Sequence, residues 1–187
     1  MEFKRLPVAS VIIEVFSVIL GVLAALAVNE WRTTVNNKDM SFAAYEKIVM
    51  EIERNRNKVD ELLLNHMTIL VEIDSIIEKL DRNGEDLSIN QINFETPSST
   101  AWEAAKLTAA VNHLEYDIVE KITSVYSTQK VYSDISDRVF QELVFFVPNN
   151  NREEMKNQFM KQKVYLYNLI SIEEQLIEEY KKFLKET

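Results

Sequence analysis

Residues 8–28 read VASVIIEVFSVILGVLAALAV, an apolar run that contains one charged side chain, Glu14. An α-helix of this length spans roughly 31 Å, which matches the hydrocarbon core of a bilayer at about 30 Å. Its Val, Ile, Leu and Phe residues contribute roughly −4 to −8 kcal/mol to insertion, whereas an acid at the centre costs about +2.5 to +3.5 kcal/mol. The run therefore predicts a transmembrane helix that tolerates Glu14.

The charges beside this run predict its orientation. Lys4 and Arg5 lie on the short basic tail, residues 1–7, and Trp31 and Arg32 follow the run as typical membrane-interface residues. The bias favours a cytoplasmic N-terminus, so we expect an inner-membrane, single-pass protein whose remaining residues lie in the periplasm. The competing interpretation is a signal peptide, cleaved near the alanines that end the run.

The composition of the remaining chain predicts helices. The 187 residues include two glycines, three prolines and no cysteine, and the formal net charge is −9. So few turn residues disfavour sandwich and doubly wound folds. The absence of cysteine excludes disulfides and thiolate metal sites. An acidic chain is repelled by nucleic acid, so we expect no nucleic-acid partner.

A heptad pattern follows the anchor at alternating steps of three and four. Its apolar members are Phe42, Tyr45, Val49, Ile52, Val59, Leu63, Leu70, Ile73, Ile77 and Leu80, with Arg56 and His66 as polar interruptions. We interpret Arg56 and His66 as polar residues of a buried seam; for His66 the alternative is a catalytic role. Residues 29–82 are thus predicted to form one long coiled-coil-like helix continuous with the anchor, or one bent within residues 33–39, where Asn and Asp disfavour helix.

The same register continues backward into the anchor, where its members are small or polar. We expect these positions, and Ala25 beside them, to bring helices together. The full set is Ser10, Glu14, Ser17, Gly21, Ala24, Ala25 and Val28. Small residues let membrane helices approach closely. The pattern predicts a homo-oligomer that associates along most of residues 8–82.

The rest of the chain is predicted to complete one bundle domain. Residues 83–99 form a polar loop, and residues 100–187 carry the remaining helices. Capping boxes predict helix starts at Thr100 with Glu103 and at Asn151 with Glu154. The fold class is therefore all-α: one N-terminal transmembrane helix that continues into a long helix, packed with further antiparallel helices.

Helix lengths make a geometric prediction. The long helix leads away from the membrane, and residues 101–147 are numerous enough to return almost to it. Phe145 and Phe146 would then contact the lipid surface. The alternative is that these side chains pack on Trp31 and Phe42 as ordinary core.

The residues also predict what the protein lacks. Gly21 and Gly84 are too far apart to form a phosphate-binding loop, a dinucleotide fingerprint or a nucleophile elbow. Neither His66 nor His113 has the spacing of a zinc or di-iron site. We therefore expect no enzyme activity and no cofactor, although a carboxylate site for calcium or magnesium stays open.

The side chain of Glu14 has three possible roles. A carboxyl inside a membrane span usually faces a partner or a water path. It either forms hydrogen bonds across an assembly, lies near the headgroups with a structural role, or belongs to a proton or ion pathway.

The run from Glu14 to Leu26, followed by Asn29, Glu30 and Trp31, resembles the N-terminus of a family of uncharacterised bacterial single-pass inner-membrane proteins with a helical domain of unknown function. Residues 100–106, TAWEAAK, are a second similarity. The resemblance implies a small envelope protein and brings no established activity.

Two functions follow as hypotheses. The first is a non-enzymatic scaffold or partner-binding subunit, anchored in the lipid bilayer, that self-associates and contacts a second copy or another membrane protein. The second is a subunit of an ion- or proton-conducting assembly that uses Glu14. An enzymatic hypothesis would require an unexpected cluster of polar groups in the bundle core.

Overall fold

The computed structural model describes residues 8–82, 89, 91–144 and 151–186. In this part of the chain four α-helices and one short 3-10 helix form the fold, and no strand occurs. The helices are α1 (Val8–Asp81), α2 (Thr100–Leu107), α3 (Tyr116–Val144) and α4 (Arg152–Lys185), and the 3-10 helix is η1 (Ala110–His113). The prediction of an all-α fold led by a long apolar helix is confirmed.

Helix α1 is a single element of 74 residues, which corresponds to about 111 Å. It remains helical through residues 33–39, where the sequence allowed a bend. All side chains from Val11 to Asn36 are exposed, and Ser41 is the first buried one among the described residues. The first half of α1 therefore stands clear of the bundle. Its apolar N-terminal part is long and apolar enough to cross a membrane.

Ion pairs show the directions of the helices. Helix α4 runs antiparallel to α1, because Lys156 pairs with Asp81 at 2.6 Å and Lys163 pairs with Asp74. Helix α3 runs antiparallel to α4: Lys161 pairs with Glu142 and Lys121 with Glu186, each at 2.7 Å. Helices α1 and α3 therefore point in the same direction, away from the anchor.

The chain returns toward the anchor through an extended stretch, residues 91–99, which we call the return segment. Asn93 contacts His66, Glu95 pairs with Lys58, and Ser98 contacts Asn55. Successive residues of the return segment therefore contact α1 at positions that lie progressively nearer to the anchor. Helix α4 packs on both α1 and α3, whereas the backbones of α1 and α3 are not packed together, and the return segment occupies the space between them.

This path corrects the predicted geometry. Residues 101–147 were expected to carry the chain back towards the membrane. Instead, the return segment brings the chain back along α1 as far as Asn55, and α3 leads away from the anchor again to Val144. The segment achieves this because an extended chain covers about 3.3 Å per residue, against 1.5 Å in a helix. Phe145 and Phe146 lie outside the described residues.

On α1 the predicted seam positions Ile52, Val59, His66, Ile73 and Leu80 are buried, whereas at the alternate positions from Val49 onward the buried residue lies one place earlier than predicted. Fully or nearly fully buried positions still alternate in steps of three and four: Ile48, Ile52, Asn55, Val59, Leu62, His66, Ile69, Ile73, Ile76 and Leu80. The predicted positions Val49, Leu63, Leu70 and Ile77 lie at the border of this face and are partly buried. Phe42, predicted as its first member, is 63% exposed.

The inward faces of α3 and α4 agree with the sequence pattern. Ile122, Val125, Tyr132 and Val139 of α3 and Phe159, Leu166, Leu169, Leu176, Tyr180 and Phe183 of α4 are buried. The cap at Asn151 is also confirmed, because its side chain accepts hydrogen bonds from the amides of Glu153 and Glu154. The predicted helix start at Thr100 is confirmed, but its capping box is wrong: α2 has no side-chain cap of its own, and the carboxylate of Glu51 accepts from the Ala101 amide at 3.0 Å.

Candidate functional site

The anchor residues predicted to bring helices together are exposed wherever the structure describes their side chains, namely at Glu14, Ser17, Gly21, Ala24, Ala25 and Val28. A Cβ placed on Gly21 would meet no atom within 4 Å. The side chain of Ser10, and Lys4 and Arg5 as a whole, lie outside the described residues. This face of α1 is thus available to lipid or to another protein.

A free stalk connects the anchor to the bundle. Residues 29–40 extend for about 18 Å as helix, whereas the headgroup region occupies only about 5 to 8 Å on each side of the hydrocarbon core. Trp31 is 70% exposed and Val35 is 42% exposed, and the exposed Phe42 follows at the base of the bundle. These three residues, which we call the outer stripe, share one face because they are four and seven positions apart. Arg32 is exposed beside them.

Inside the bundle, a buried carboxylate joins three elements. Glu51 of α1 accepts hydrogen bonds from the Tyr126 hydroxyl at 2.6 Å, the Ser98 hydroxyl at 2.7 Å and the Ala101 amide. Burial, and then the hydrogen bond to Glu51, raise the pKa of Tyr126, which therefore stays a donor. A charge-assisted network of this kind fixes the return segment and the start of α2 on α1.

Side-chain amides bind the backbone of the return segment. Asn55 donates to the Ser98 carbonyl at 2.7 Å and accepts from the Ser98 amide at 3.0 Å. Gln129 of α3 donates to the carbonyls of Pro97 and Ser98, and its oxygen accepts from Asn55 and from the Tyr180 hydroxyl at 2.8 Å. The side-chain amides of Asn55 and Gln129 thus supply backbone hydrogen bonds that a neighbouring strand would supply to an extended segment in a sheet.

A second buried group lies further from the anchor. His66 and Glu173 are both fully buried, and Nδ1 of His66 lies 2.8 Å from Oε1 of Glu173. Nε2 of His66 lies 2.8 Å from the Asn93 carbonyl oxygen. A carbonyl only accepts, so Nε2 carries a hydrogen. Burial raises the pKa of Glu173, and the hydrogen bond to His66 opposes this rise.

One proton therefore lies between His66 and Glu173. Either Nδ1–H donates to a carboxylate or a protonated carboxyl donates to Nδ1, and both arrangements give a pair with zero net charge. The other carboxyl oxygen, Oε2, is buried without a hydrogen-bond partner in the described part of the chain. The pair links α1, α4 and the return segment.

The structure separates the two predicted polar seam residues. His66 lies on the buried face, whereas Arg56 is half-buried at its edge and donates to Asn57. Glu51, Asn55, Gln129 and Glu173 were missed by sequence reasoning. Asn55 carried one usable signal, because it lies three residues after Ile52 and four before Val59, the steps of a buried heptad position.

These polar side chains are occupied by the protein itself. Their donors and acceptors hold the return segment, α2 and the helices together, and among the described residues no group of His, Asp and Glu is placed to hold a metal ion. This arrangement of polar side chains stabilises the bundle. The surfaces left for a partner are the anchor, the outer stripe and the clefts of the bundle.

Comparison with known proteins finds no counterpart for this chain. No family model, no curated protein and no solved structure matches it.

Proposed function

We propose that this protein is a non-enzymatic, membrane-anchored helical scaffold that self-associates through the anchor and the outer stripe. One observation carries the proposal: Trp31 and Val35 continue the apolar anchor on one face of the stalk, Phe42 follows beyond Lys38, and no described part of the chain covers these three side chains. Exposed apolar side chains that share one face are typical of an interaction site. A second copy, embedded in the same membrane and pointing the same way, presents the same face at the same height.

The buried face of α1 narrows the surface that a second copy can use. From Ile48 upward the heptad positions are covered by α4 and the return segment. Association along most of residues 8–82 would therefore require the bundle to open. The side chains of residues 11–36 remain exposed, and this stretch contains Ser17, Gly21, Ala24 and Ala25 of the anchor.

The proposed topology rests on the charges beside the anchor. Lys4 and Arg5 place the N-terminus in the cytoplasm, and the acidic bundle then lies on the periplasmic side of an inner membrane. The bilayer is one partner and a second copy the other, while another membrane protein is the alternative occupant of the outer stripe.

Disulfide crosslinking tests self-association cleanly, because the chain has no native cysteine. Val35→Cys in native membranes is expected to give a crosslinked homodimer on oxidation, since the stripe would bring two copies within bonding distance. Asn36→Cys is the matched control: it is also exposed and lies about 100° around the helix. We expect the dimer fraction to be several times larger for Val35→Cys.

Two results of this experiment would overturn self-association. One is equal crosslinking of Val35→Cys and Asn36→Cys, which would indicate random collision. The other is a Val35→Cys adduct with a different protein only, which would favour the partner-binding subunit.

The second candidate is a subunit of a proton- or ion-conducting assembly. The observation in its favour is Glu14, an exposed carboxyl within the apolar part of α1 that has no ion pair among the described residues. Glu14→Gln is then expected to abolish ion flux in reconstituted vesicles while leaving the Val35→Cys crosslink intact. Flux that is absent from the unaltered protein, or unchanged by Glu14→Gln, would remove this candidate.

A further inference from the structure

A cleft between α1 and α2, which we call the α1/α2 groove, is lined by residues of both helices and of the return segment. Its cavity volume is about 620 Å³. Small-molecule sites commonly have volumes of about 300 to 1,000 Å³. The groove is therefore large enough for a ligand with one or two rings.

One wall of the groove is cationic. Lys47, Arg54 and Lys58 of α1 line it at intervals of seven and four residues, which places them along one side of the helix. Lys58 forms an ion pair with Glu95 of the return segment. Among the described residues, no carboxylate forms an ion pair with Lys47 or Arg54. The Nε of Arg54 donates to the Met50 carbonyl at 3.1 Å, which leaves the two terminal nitrogens of the guanidinium group as donors for a ligand.

The two buried acceptors of the groove, Glu51 and Asn55, are already occupied. The Glu51 carboxylate accepts from Ser98, Ala101 and Tyr126. The Asn55 side-chain oxygen accepts from the Ser98 amide. The groups left for a ligand are mainly the donors of Lys47 and Arg54. A ligand that satisfies them must supply acceptors and negative charge.

The wall formed by α2 is mainly apolar. It carries Ala101, Ala104 and Ala105, with Thr100 and Thr108 at its ends, and Ala44 of α1 lies beside Lys47. Such a wall lets an apolar body lie close to the backbone, while Lys47 and Arg54 hold a charged end. Sites of this composition orient a ligand with a few polar groups on a mainly apolar surface.

We propose that the α1/α2 groove binds a small amphipathic anion, an apolar body that carries a carboxylate, sulfonate or phosphate. The charged end would contact Arg54 and Lys47, and the apolar body would lie on the alanine wall. The ligand comes from solution, because Ala44 lies about 24 Å along α1 from Val28, beyond the roughly 5 to 8 Å depth of the headgroups. This site is separate from the outer stripe and does not depend on self-association.

The test uses the full chain in nanodiscs of zwitterionic lipid, with alanine methyl groups labelled for NMR. Naphthalene-2-sulfonate is the probe, and naphthalene-2-sulfonamide is its uncharged counterpart. The sulfonate is expected to shift the methyl signals of Ala44, Ala101, Ala104 and Ala105 saturably. The sulfonamide is expected to bind at least about tenfold more weakly, because it lacks the charge that Arg54 and Lys47 recognise.

Variants localise the effect. Arg54→Gln and Lys47→Gln are each expected to raise Kd for the sulfonate about five- to tenfold, the range for one charge-assisted contact at a partly exposed site. Ala104→Leu fills the groove on an exposed helix position and should abolish the shifts. Lys182→Gln, which removes an exposed cation from α4, should leave Kd unchanged.

Three results would overturn the proposal. They are equal binding of sulfonate and sulfonamide, shifts spread over alanines outside the groove, and a Kd that Arg54→Gln and Lys47→Gln leave unaltered. Crosslinking of Val35→Cys is measured in parallel and reports self-association alone. A failure of ligand binding in the groove is therefore distinguishable from a failure of the proposed self-association.

Discussion

Replacing His66 with alanine is expected to lower the free energy of unfolding by about 3 to 5 kcal/mol, the range for breaking a buried pair by removing one partner. His66 and Glu173 are both fully buried and lie 2.8 Å apart. Without the imidazole, the Glu173 carboxyl loses its hydrogen bond to His66, and the Asn93 carbonyl loses its donor. The vacated volume adds a cavity cost.

Urea unfolding of the full chain, followed by Trp102 fluorescence, measures this loss. Trp102 is buried and stacks on Tyr126 with ring centroids 5.8 Å apart, so its emission reports the fold; Trp31→Phe removes the other tryptophan from the signal. His113→Ala is the matched control, because His113 is exposed in η1, and it should change stability by less than about 0.5 kcal/mol. A loss below about 1 kcal/mol for His66→Ala would contradict the assigned role.

The pH dependence of Glu173→Gln tests the shared proton. Burial raises the pKa of Glu173, so the folded chain keeps a proton that an unfolded glutamate loses above about pH 4.3. A raised pKa gives stability that is complete below the unfolded value and is lost as pH rises through the folded value. Glutamine keeps a donor for Nδ1 of His66 and does not titrate.

The unaltered protein should therefore lose stability relative to Glu173→Gln as pH rises above about 4.3, by up to about 1.4 kcal/mol per pH unit. The relative loss ends where the folded carboxyl ionises. Parallel stability curves for the two proteins across this range would show that Glu173 holds no proton in the folded chain.

The fold was predictable where apolar periodicity is long. Helices α1 and α4 carry it over many turns, and their ends have clear signals, such as Asn151. The one-residue displacement at alternate positions of α1 has a physical cause. Apolar doublets occur at most of the shifted positions, among them Ile48-Val49 and Leu62-Leu63. The first residue of each doublet is buried and the second lies at the border of the buried face, which α4 and the return segment widen by flanking α1. Periodicity alone does not select between the members of a doublet.

The interior polar sites were much less predictable. Glu51, Gln129 and Glu173 are residue types that usually face solvent, and their partners are backbone groups or side chains more than 30 positions away in the chain. The direction of α3 could not be predicted for the same reason, because it depends on these long-range contacts. Nothing in the pattern of residues 91–99 indicates an extended segment that crosses back between two helices.

Asn55→Ala is expected to release the return segment and to lower the free energy of unfolding by about 2 to 3 kcal/mol. Asn55 binds both the amide and the carbonyl of Ser98. The carbonyl keeps Gln129 as a donor, whereas the Ser98 amide loses its acceptor. We expect the hydrogen exchange of this amide to accelerate roughly thirtyfold or more, which corresponds to the same loss of local stability. Asn57→Ala is the control, because Asn57 is exposed and contacts only Arg56 through its side chain.

A double-mutant cycle separates release of the segment from general damage to the bundle. Asn55 and Gln129 share the Ser98 carbonyl and also contact each other at 3.1 Å. Residues that share a hydrogen-bond network couple by about 0.5 to 3 kcal/mol. Asn55→Ala combined with Gln129→Ala should therefore cost less than the sum of the single changes, because the first change already frees the segment. Strict additivity, or Ser98 exchange that Asn55→Ala leaves unaltered, would mean that the backbone of the return segment is held by its own buried side chains, such as Pro97, rather than by the two amides.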